Sequence, residues 1–308
     1  METENSNISQ LEEGEGPYIE CKDLFKIFKR SELEVVALRG LDMEVQKGEM
    51  IAIMGASGSG KSTLMNILSG LDRPSAGQVR VGKRDLLNIS DDELVLYRRL
   101  EVGFVWQATA RNLVPYLNVI ENIEMPQAIS GESGKVRKQN AMDLLSILGM
   151  EDKAKRQIQE LSGGEQQRVA IAGAFAANPE IVVADEAVSA LDVSVQAQVL
   201  NLLEDRQREL GNSYVFITHD LGVVRYISDE IMVVYAGHIA EYGSAESVLS
   251  GPSHPYTDAL LSAAPIPDPT AVTEHIRLEG AVPTMREAFK GCFFASRCPR
   301  KVGLICDE

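Results

Sequence analysis

Gly55-Ala56-Ser57-Gly58-Ser59-Gly60-Lys61-Ser62-Thr63 is the stretch that decides the fold. It fits the phosphate-loop pattern G-x-x-x-x-G-K-[ST] at every fixed position. Met50-Ile51-Ala52-Ile53-Met54, just before it, is an apolar run of strand length. Leu64, Ile67, Leu68 and Leu71, just after it, recur at helical spacing. Glycines let backbone N–H groups turn inward around an anion, and the following helix adds its positive N-terminal end. In that setting Lys61 is expected at the β- and γ-phosphates of a nucleotide and Ser62 on Mg²⁺, with the loop from Gly55 to Thr63 as the cradle.

Working outward, apolar strands alternate with helical segments. Ile181-Val182-Val183-Ala184-Asp185 is an apolar strand that ends in two acids, Asp185 and Glu186. Tyr214-Val215-Phe216-Ile217-Thr218 ends at His219, and Ile231-Met232-Val233-Val234-Tyr235 follows a further helix. Helices are expected over about 84–100 and 193–210, and over much of 112–160 with breaks at Pro115, Pro126 and Ser130-Gly131. Upstream, Tyr18–Cys21, Val35–Leu38 and Leu41–Val45 read as short antiparallel strands. The fold class is therefore α/β: a phosphate-loop core with a mainly parallel sheet, an antiparallel β subdomain and an inserted helical subdomain. Strand ends are where parallel sheets place ligands. Asp185 is expected on Mg²⁺, and Glu186 as general base for an attacking water.

The 308 residues carry a formal charge of −15, the wrong sign for a nucleic-acid partner. No apolar run approaches the ~18 residues of a membrane span, and the first residues are acidic rather than signal-like. Residues 1–17, with Glu2, Glu4, Glu12, Glu13 and Glu15, read as a disordered acidic tail. Residues 18–250 read as one nucleotide-binding domain, with the helical subdomain at about 108–165. Residues 251–308 form an extension rich in proline (Pro252, Pro255, Pro265, Pro267, Pro269) that holds three of the four cysteines.

Leu161-Ser162-Gly163-Gly164-Glu165, placed between the phosphate loop and Asp185-Glu186, resembles the signature of ABC-type ATPases. The resemblance covers roughly residues 18–250. It implies that Gln107 senses the γ-phosphate and Mg²⁺, that Ser189-Ala190-Leu191-Asp192 crosses a dimer, and that His219 is the switch histidine. It also implies that Phe28 stacks on adenine. In this family two domains pair head to tail, each ATP lying between one phosphate loop and Ser162, Gly163 and Gly164 of the other. The implied partners are an identical or homologous ATPase subunit and membrane permease subunits, whose cytoplasmic helices would dock near Gln107 and the helical segment. The implied location is the cytoplasmic face of the cell membrane, as a peripheral subunit.

Two subfamilies are visible. The first half, including Leu113 to Ile123, resembles lipoprotein-release and macrolide-export ATPases. The second half is similar to oligopeptide/dipeptide importer ATPases. Asp185 to Gln198, His254-Pro255-Tyr256-Thr257 and the Gly291-Cys292-Phe293 and Arg297-Cys298-Pro299 pieces carry that likeness. The tail tips the expectation toward peptide import, which would add an extracytoplasmic solute-binding protein. Export, or a regulatory ATPase that moves nothing itself, stays as the alternative. Some importer relatives bind an iron–sulfur cluster through C-terminal cysteines, and Cys292, Cys298 and Cys306 (C-x5-C-x7-C) resemble that set. A cubane cluster takes four ligands. Reduced or weakly zinc-binding thiols are the other reading.

Overall fold

The computed structural model describes residues 16–30, 33–189, 191–263, 275–280 and 290–308. The acidic tail therefore lies outside the described residues except for Gly16 and Pro17, as do Ala190, Pro265, Pro267 and Pro269.

In chain order the strands are β1 (Ile19–Arg30), β2 (Leu33–Val45), β3 (Met50–Met54), β4 (Ala76–Val81), β5 (Arg84–Asp85), β6 (Val102–Val105), β7 (Ile181–Asp185), β8 (Ser213–Ile217), β9 (Glu230–Tyr235) and β10 (His238–Ser244). The helices are α1 (Lys61–Leu68), α2 (Asp91–Leu100), α3 (Val119–Ile129), α4 (Gly134–Ile147), α5 (Gly163–Ala176), α6 (Val193–Leu210), α7 (Leu221–Ile227), α8 (Ala245–Ser250) and α9 (Pro255–Ser262).

Two sheets result. The larger runs β10-β9-β3-β8-β7-β6, parallel throughout except for the antiparallel edge strand β10. The smaller is antiparallel, in the order β2-β1-β4-β5. Strand β3 is buried at every residue because both of its edges and both of its faces are covered. Its side chains alternate: Ile51 and Ile53 pack with Leu41, Leu64 and Leu68 toward the antiparallel sheet and α1. Ala52 and Met54 face Tyr235, Tyr256 and Phe294 on the opposite side. On β8, Val215 and Ile217 join the first group, while Tyr214 and Phe216 join the helical side with Ile123, Leu144 and Phe175.

Three local expectations change. The separate N-terminal pieces are two long strands, β1 and β2, paired from Ile19↔Val45 to Arg30↔Leu33. Irregularities at Cys21/Leu24 and Lys26/Ile27 interrupt the period-two pattern, so each strand reads as fragments. The helix expected from residue 84 begins only at Asp91. Asp85 Oδ1 accepts from Leu87 N–H, and Ser90 caps α2 reciprocally with Glu93, so local side chains hold the preceding backbone out of the helix. Pro126 does not end its helix: α3 continues to Ile129, with Val119 and Ile123 buried in the helical core beside Val169 of α5. The helix expected at 193–210 is α6.

Candidate functional site

Strands β3, β7 and β8 are parallel neighbours, so their C-terminal ends open on one edge of the sheet. The phosphate loop leaves β3 there. Two of its glycines leave no room for a side chain: a Cβ on Gly55 (φ 142°) would lie 2.1 Å from Val234 O, and one on Gly60 (φ 110°) 2.7 Å from Ala37 O. Gly60 is the N-cap of α1 and offers no side-chain cap, so the first amides of that helix face the loop's hollow uncapped by any side chain. Lys61 Nζ donates to the Gly55 and Ala56 carbonyls, both at 2.8 Å. Burial pushes the Lys61 ammonium pKa down, and the charges of Asp185 and Glu186 oppose that.

A cavity of ≈ 510 Å³ opens over this edge. Its lining brings together Phe28, Gly55, Ser57, Gly58, Gly60, Lys61, Ser62, Thr63, Gln107, Asp185, Glu186 and His219. Phe28 is 43 % exposed with Lys26 Nζ 4.8 Å from its ring centre, so it is a cavity wall rather than core. Asp185 and Ser62 both line this cavity. Burial raises the Asp185 carboxyl pKa, the Glu186 charge adds to the rise, and Lys61 and Ser62 counter it. The donor set of hydroxyl and carboxylate oxygens fits Mg²⁺, a hard cation that keeps several waters.

Glu186 sits in the left-handed backbone region at φ 49°, where a non-glycine residue is strained, and its N–H donates to Ile217 O at 2.9 Å. That turn swings its carboxylate between two partners. Gln107 Nε2 donates to Oε2 at 2.6 Å, and His219 Nδ1 lies 3.3 Å from Oε1. Three residues separated by 79 and 33 positions thus meet at one carboxylate. Gln107 is followed by a tethered loop: Thr109 donates to Gln167 Oε1, and Gln167 Nε2 donates to Ala187 O, which ties the loop to α5 and to the residue after Glu186.

Comparison with known proteins places this geometry. The ABC transporter family profile matches residues 38–189, and the profile of the oligopeptide/dipeptide transporter C-terminal region matches residues 240–306. The dipeptide transport ATP-binding protein DppF of Escherichia coli K12 is 38 % identical over 98 % of this chain and 91 % of its own length. The Haemophilus influenzae DppF is 42 % identical over 86 % of this chain and 81 % of its own. The chain belongs to the ABC transporter ATP-binding proteins. Among solved structures, the dimeric post-hydrolysis state of the ATP-binding cassette MJ0796, bound to ADP and Pi, aligns with TM-score 0.69 at 36 % identity, covering 74 % of this chain and 98 % of that one. The phosphate-loop α/β core and the ABC ATPase assignment expected from sequence both hold.

Within this ABC ATPase Ser162, Gly163 and Gly164, the residues that resemble a family signature, stand apart from the cavity. Ser162 caps α5, accepting from Glu165 N–H, while Glu165 Oε2 accepts from Ser162 N–H. Ser162 and Gly163 are exposed. The Lys153 ammonium, bonded to Glu165, and the Ser162 donors together hold the Glu165 carboxyl down at about 2. Asp192 caps α6 through Val195 N–H and also lies outside the cavity lining. The Cys292 N–H donates to Cys306 O at 3.0 Å, which makes two of the three C-terminal cysteines backbone neighbours. Cys292 is exposed, Cys298 packs into the Tyr235 cluster, and Cys306 Sγ accepts from Val302 N–H. Among the described residues no group of three or more His, Cys, Asp or Glu could hold a metal. The residues present therefore do not fit an iron–sulfur cluster. One contact has no sequence signal of its own: the Ala56 N–H donates to Tyr256 Oη at 2.8 Å, across 200 positions.

Proposed function

We propose that this ABC ATPase powers the import of dipeptides or oligopeptides through separate permease subunits. In this reading it works as a head-to-tail dimer at the cytoplasmic face of a membrane, downstream of a solute-binding protein. The observation that carries the catalytic part is the Glu186 carboxylate, aimed by a strained backbone and held between Gln107 and His219 above the phosphate loop. There it can take a proton from a water attacking the γ-phosphorus as the bond to the ADP oxygen breaks, giving ADP and phosphate. Lys61 and the loop amides would hold the β- and γ-phosphates, Phe28 would stack on the adenine, and His219 would orient Glu186 or contact the γ-phosphate. Mg²⁺ on Ser62 and Asp185 would supply positive charge to the phosphate oxygens.

The dimer follows from the separation of the two half-sites. Ser162, Gly163 and Gly164 are exposed or half-exposed and absent from their own chain's cavity, which leaves them available to a second chain's nucleotide. Asp192, capping the neighbouring helix, would sit at that junction. The permease reading is supported by a groove of ≈ 380 Å³ between β6 and the helices α3 and α5, with Phe104, Trp106 and Ile129 in its wall and Arg98, Arg99 and Arg111 around it. Trp106 faces the groove and Gln107 the nucleotide cavity, so consecutive residues connect the two. Asn112 grips both the N–H and the C=O of Trp106, which makes that connection stiff. Among the described residues no helix is long and apolar enough to cross a membrane. The importer reading, rather than export, is supported by relatives such as a putative peptide import ATP-binding protein of Brucella ovis, 38 % identical over 94 % of this chain, and by the C-terminal profile.

The test is Glu186→Gln, which keeps the side chain's shape and one oxygen to accept from Gln107 but removes the base. ATP turnover should fall by about 100-fold or more. An ATP-dependent dimer should accumulate, read by sedimentation. Turnover near the wild-type rate would remove Glu186 from the role of base.

A further inference from the structure

The C-terminal extension reaches the nucleotide site through a short series of contacts. On β10, the Glu241 carboxylate accepts from the Ser253 and His254 N–H groups at 2.7 and 3.1 Å and fixes the turn before α9. His254 Nδ1 then accepts from Tyr256 N–H at 3.1 Å, which makes His254 the side-chain cap of α9. Pro255 occupies the first helical turn, where its missing N–H costs nothing. Cap, proline and tyrosine together aim the Tyr256 ring inward. The ring is 2 % exposed and packs against Tyr235 at 4.6 Å and Phe294 at 5.5 Å between centres. Phe294, from the cysteine-bearing segment, is fully buried and meets Tyr235 edge-on. At the end of this clamp the Tyr256 hydroxyl accepts the N–H of Ala56, the second residue of the phosphate loop.

The geometry points to Tyr256 as a positioning residue of the phosphate loop, through which the C-terminal extension sets the loop's affinity for nucleotide. Ala56 is the residue at which the chain turns from β3 into the loop, and its carbonyl also receives Lys61 Nζ. The N–H and the C=O of this one residue are therefore tied to two different parts of the molecule: the N–H to the extension, the C=O to the catalytic lysine. Binding phosphate requires Lys61 to leave that carbonyl and the loop amides to keep their inward aim. A rigid acceptor on the Ala56 N–H holds the loop's entrance in place while the lysine moves. The inference rests on the proposed ATPase function and assigns a further residue to it.

The experiment uses the full chain with MgADP and MgATP as probes. Tyr256→Phe keeps the ring and removes only the acceptor. Its dissociation constant for MgADP and its KM for MgATP should rise about five- to tenfold, the scale of one lost hydrogen bond at a half-buried amide. The nucleotide-free melting temperature should stay within about 2 °C of wild type. Hydrogen exchange at the Ala56 amide should quicken. His254→Ala, which removes the cap, should weaken MgADP in the same direction, and His254→Asn, which can still cap, should restore it. Wild-type affinity in Tyr256→Phe would overturn the inference. So would a lowered melting temperature with unchanged Ala56 exchange, because that describes a purely structural tyrosine. A wild-type chain that binds no MgADP would sink the ATPase function itself, and this inference with it.

Discussion

The N-termini of α1 and α5 are both built to meet phosphate in the proposed dimer, yet they are finished in opposite ways. Helix α1 begins after Gly60 with no capping side chain and no acid in its first turn. Its amides and Lys61 are left for an anion that comes from outside the fold. Helix α5 is closed by its own sequence: Ser162 and Glu165 cap it reciprocally, and Lys153 neutralises Glu165. A helix end that carries its own carboxylate needs no ligand to be stable, and what it still offers is the Ser162 hydroxyl and the Gly163 and Gly164 amides. The difference makes the two contacts unequal. In the proposed dimer one chain would hold nucleotide on α1 alone, and α5 would add a second, weaker grip only when another chain brings it, so association would depend on ATP.

Lys61→Ala breaks the comparison on its stronger side. The loop loses its one lysine, and with it the group expected on the β- and γ-phosphates. MgATP turnover should drop by about 100- to 1000-fold, the range measured for removing one preorganised donor from a charge-stabilising site. MgADP binding should weaken in titration calorimetry, while far-UV circular dichroism stays unchanged. A variant that keeps wild-type turnover would mean that α1 is not where the phosphates lie.

Gly163→Asp addresses the weaker side. A Cβ at Gly163 would meet nothing within 4 Å, so the substitution adds a carboxylate without disturbing the fold. Binding of MgATP to the single chain should be unchanged. The ATP-dependent dimer of Glu186→Gln should disappear when Gly163→Asp is added, and wild-type turnover should fall about 100-fold, since like charges brought together at an interface cost several kcal/mol. Sedimentation and calorimetry on the same samples separate the two effects. If nucleotide affinity of the isolated chain falls instead, α5 contributes to the site in cis and the head-to-tail arrangement is wrong.

How far these roles could be read from the chain alone varies by region. The parallel core was legible because each strand is a short, wholly apolar run with a chemically marked end: Met54 before the loop, Asp185-Glu186, Thr218-His219. Burial on both faces removes the ambiguity of alternation. The long strands β1 and β2 were not, since register irregularities break their period and cross-strand pairing is not a local property. The meeting of Gln107, Glu186 and His219 was expected only through family likeness. Its physical cause, a left-handed backbone at Glu186, has no sequence mark because glutamate is not a residue that favours it. The cysteines were linked to a cluster only through their likeness to a family set, and in the fold Cys298 packs against an aromatic cluster while Cys292 is exposed. Likewise His254-Pro255-Tyr256 could be recognised as a motif, but a contact with Ala56 is visible only once β3 and β9 are adjacent.

The smallest effect sharpens why α5 is self-sufficient. Lys153 is the largest cause of the low Glu165 carboxyl, which in the fold titrates at about 2 against an ordinary value of 4.5. Between those values the unfolded chain binds a proton that the folded chain refuses, so stability rises with pH there. The stabilisation is complete above about 4.5 and is lost as the pH falls toward 2. Lys153→Ala lets Glu165 return toward its ordinary value, so the variant should be less stable than wild type at pH 7 by about 1 kcal/mol at most, the pair being partly exposed. That gap should narrow at about pH 4.5, narrow again at about pH 3.5, and close as Glu165 is protonated in both proteins. Urea unfolding at those three pH values measures it. A gap that stays constant would assign the loss to the packing of the lysine stem rather than to its charge. The α5 terminus would then be stabilised by Ser162 alone, and its carboxylate would be free to oppose an incoming phosphate.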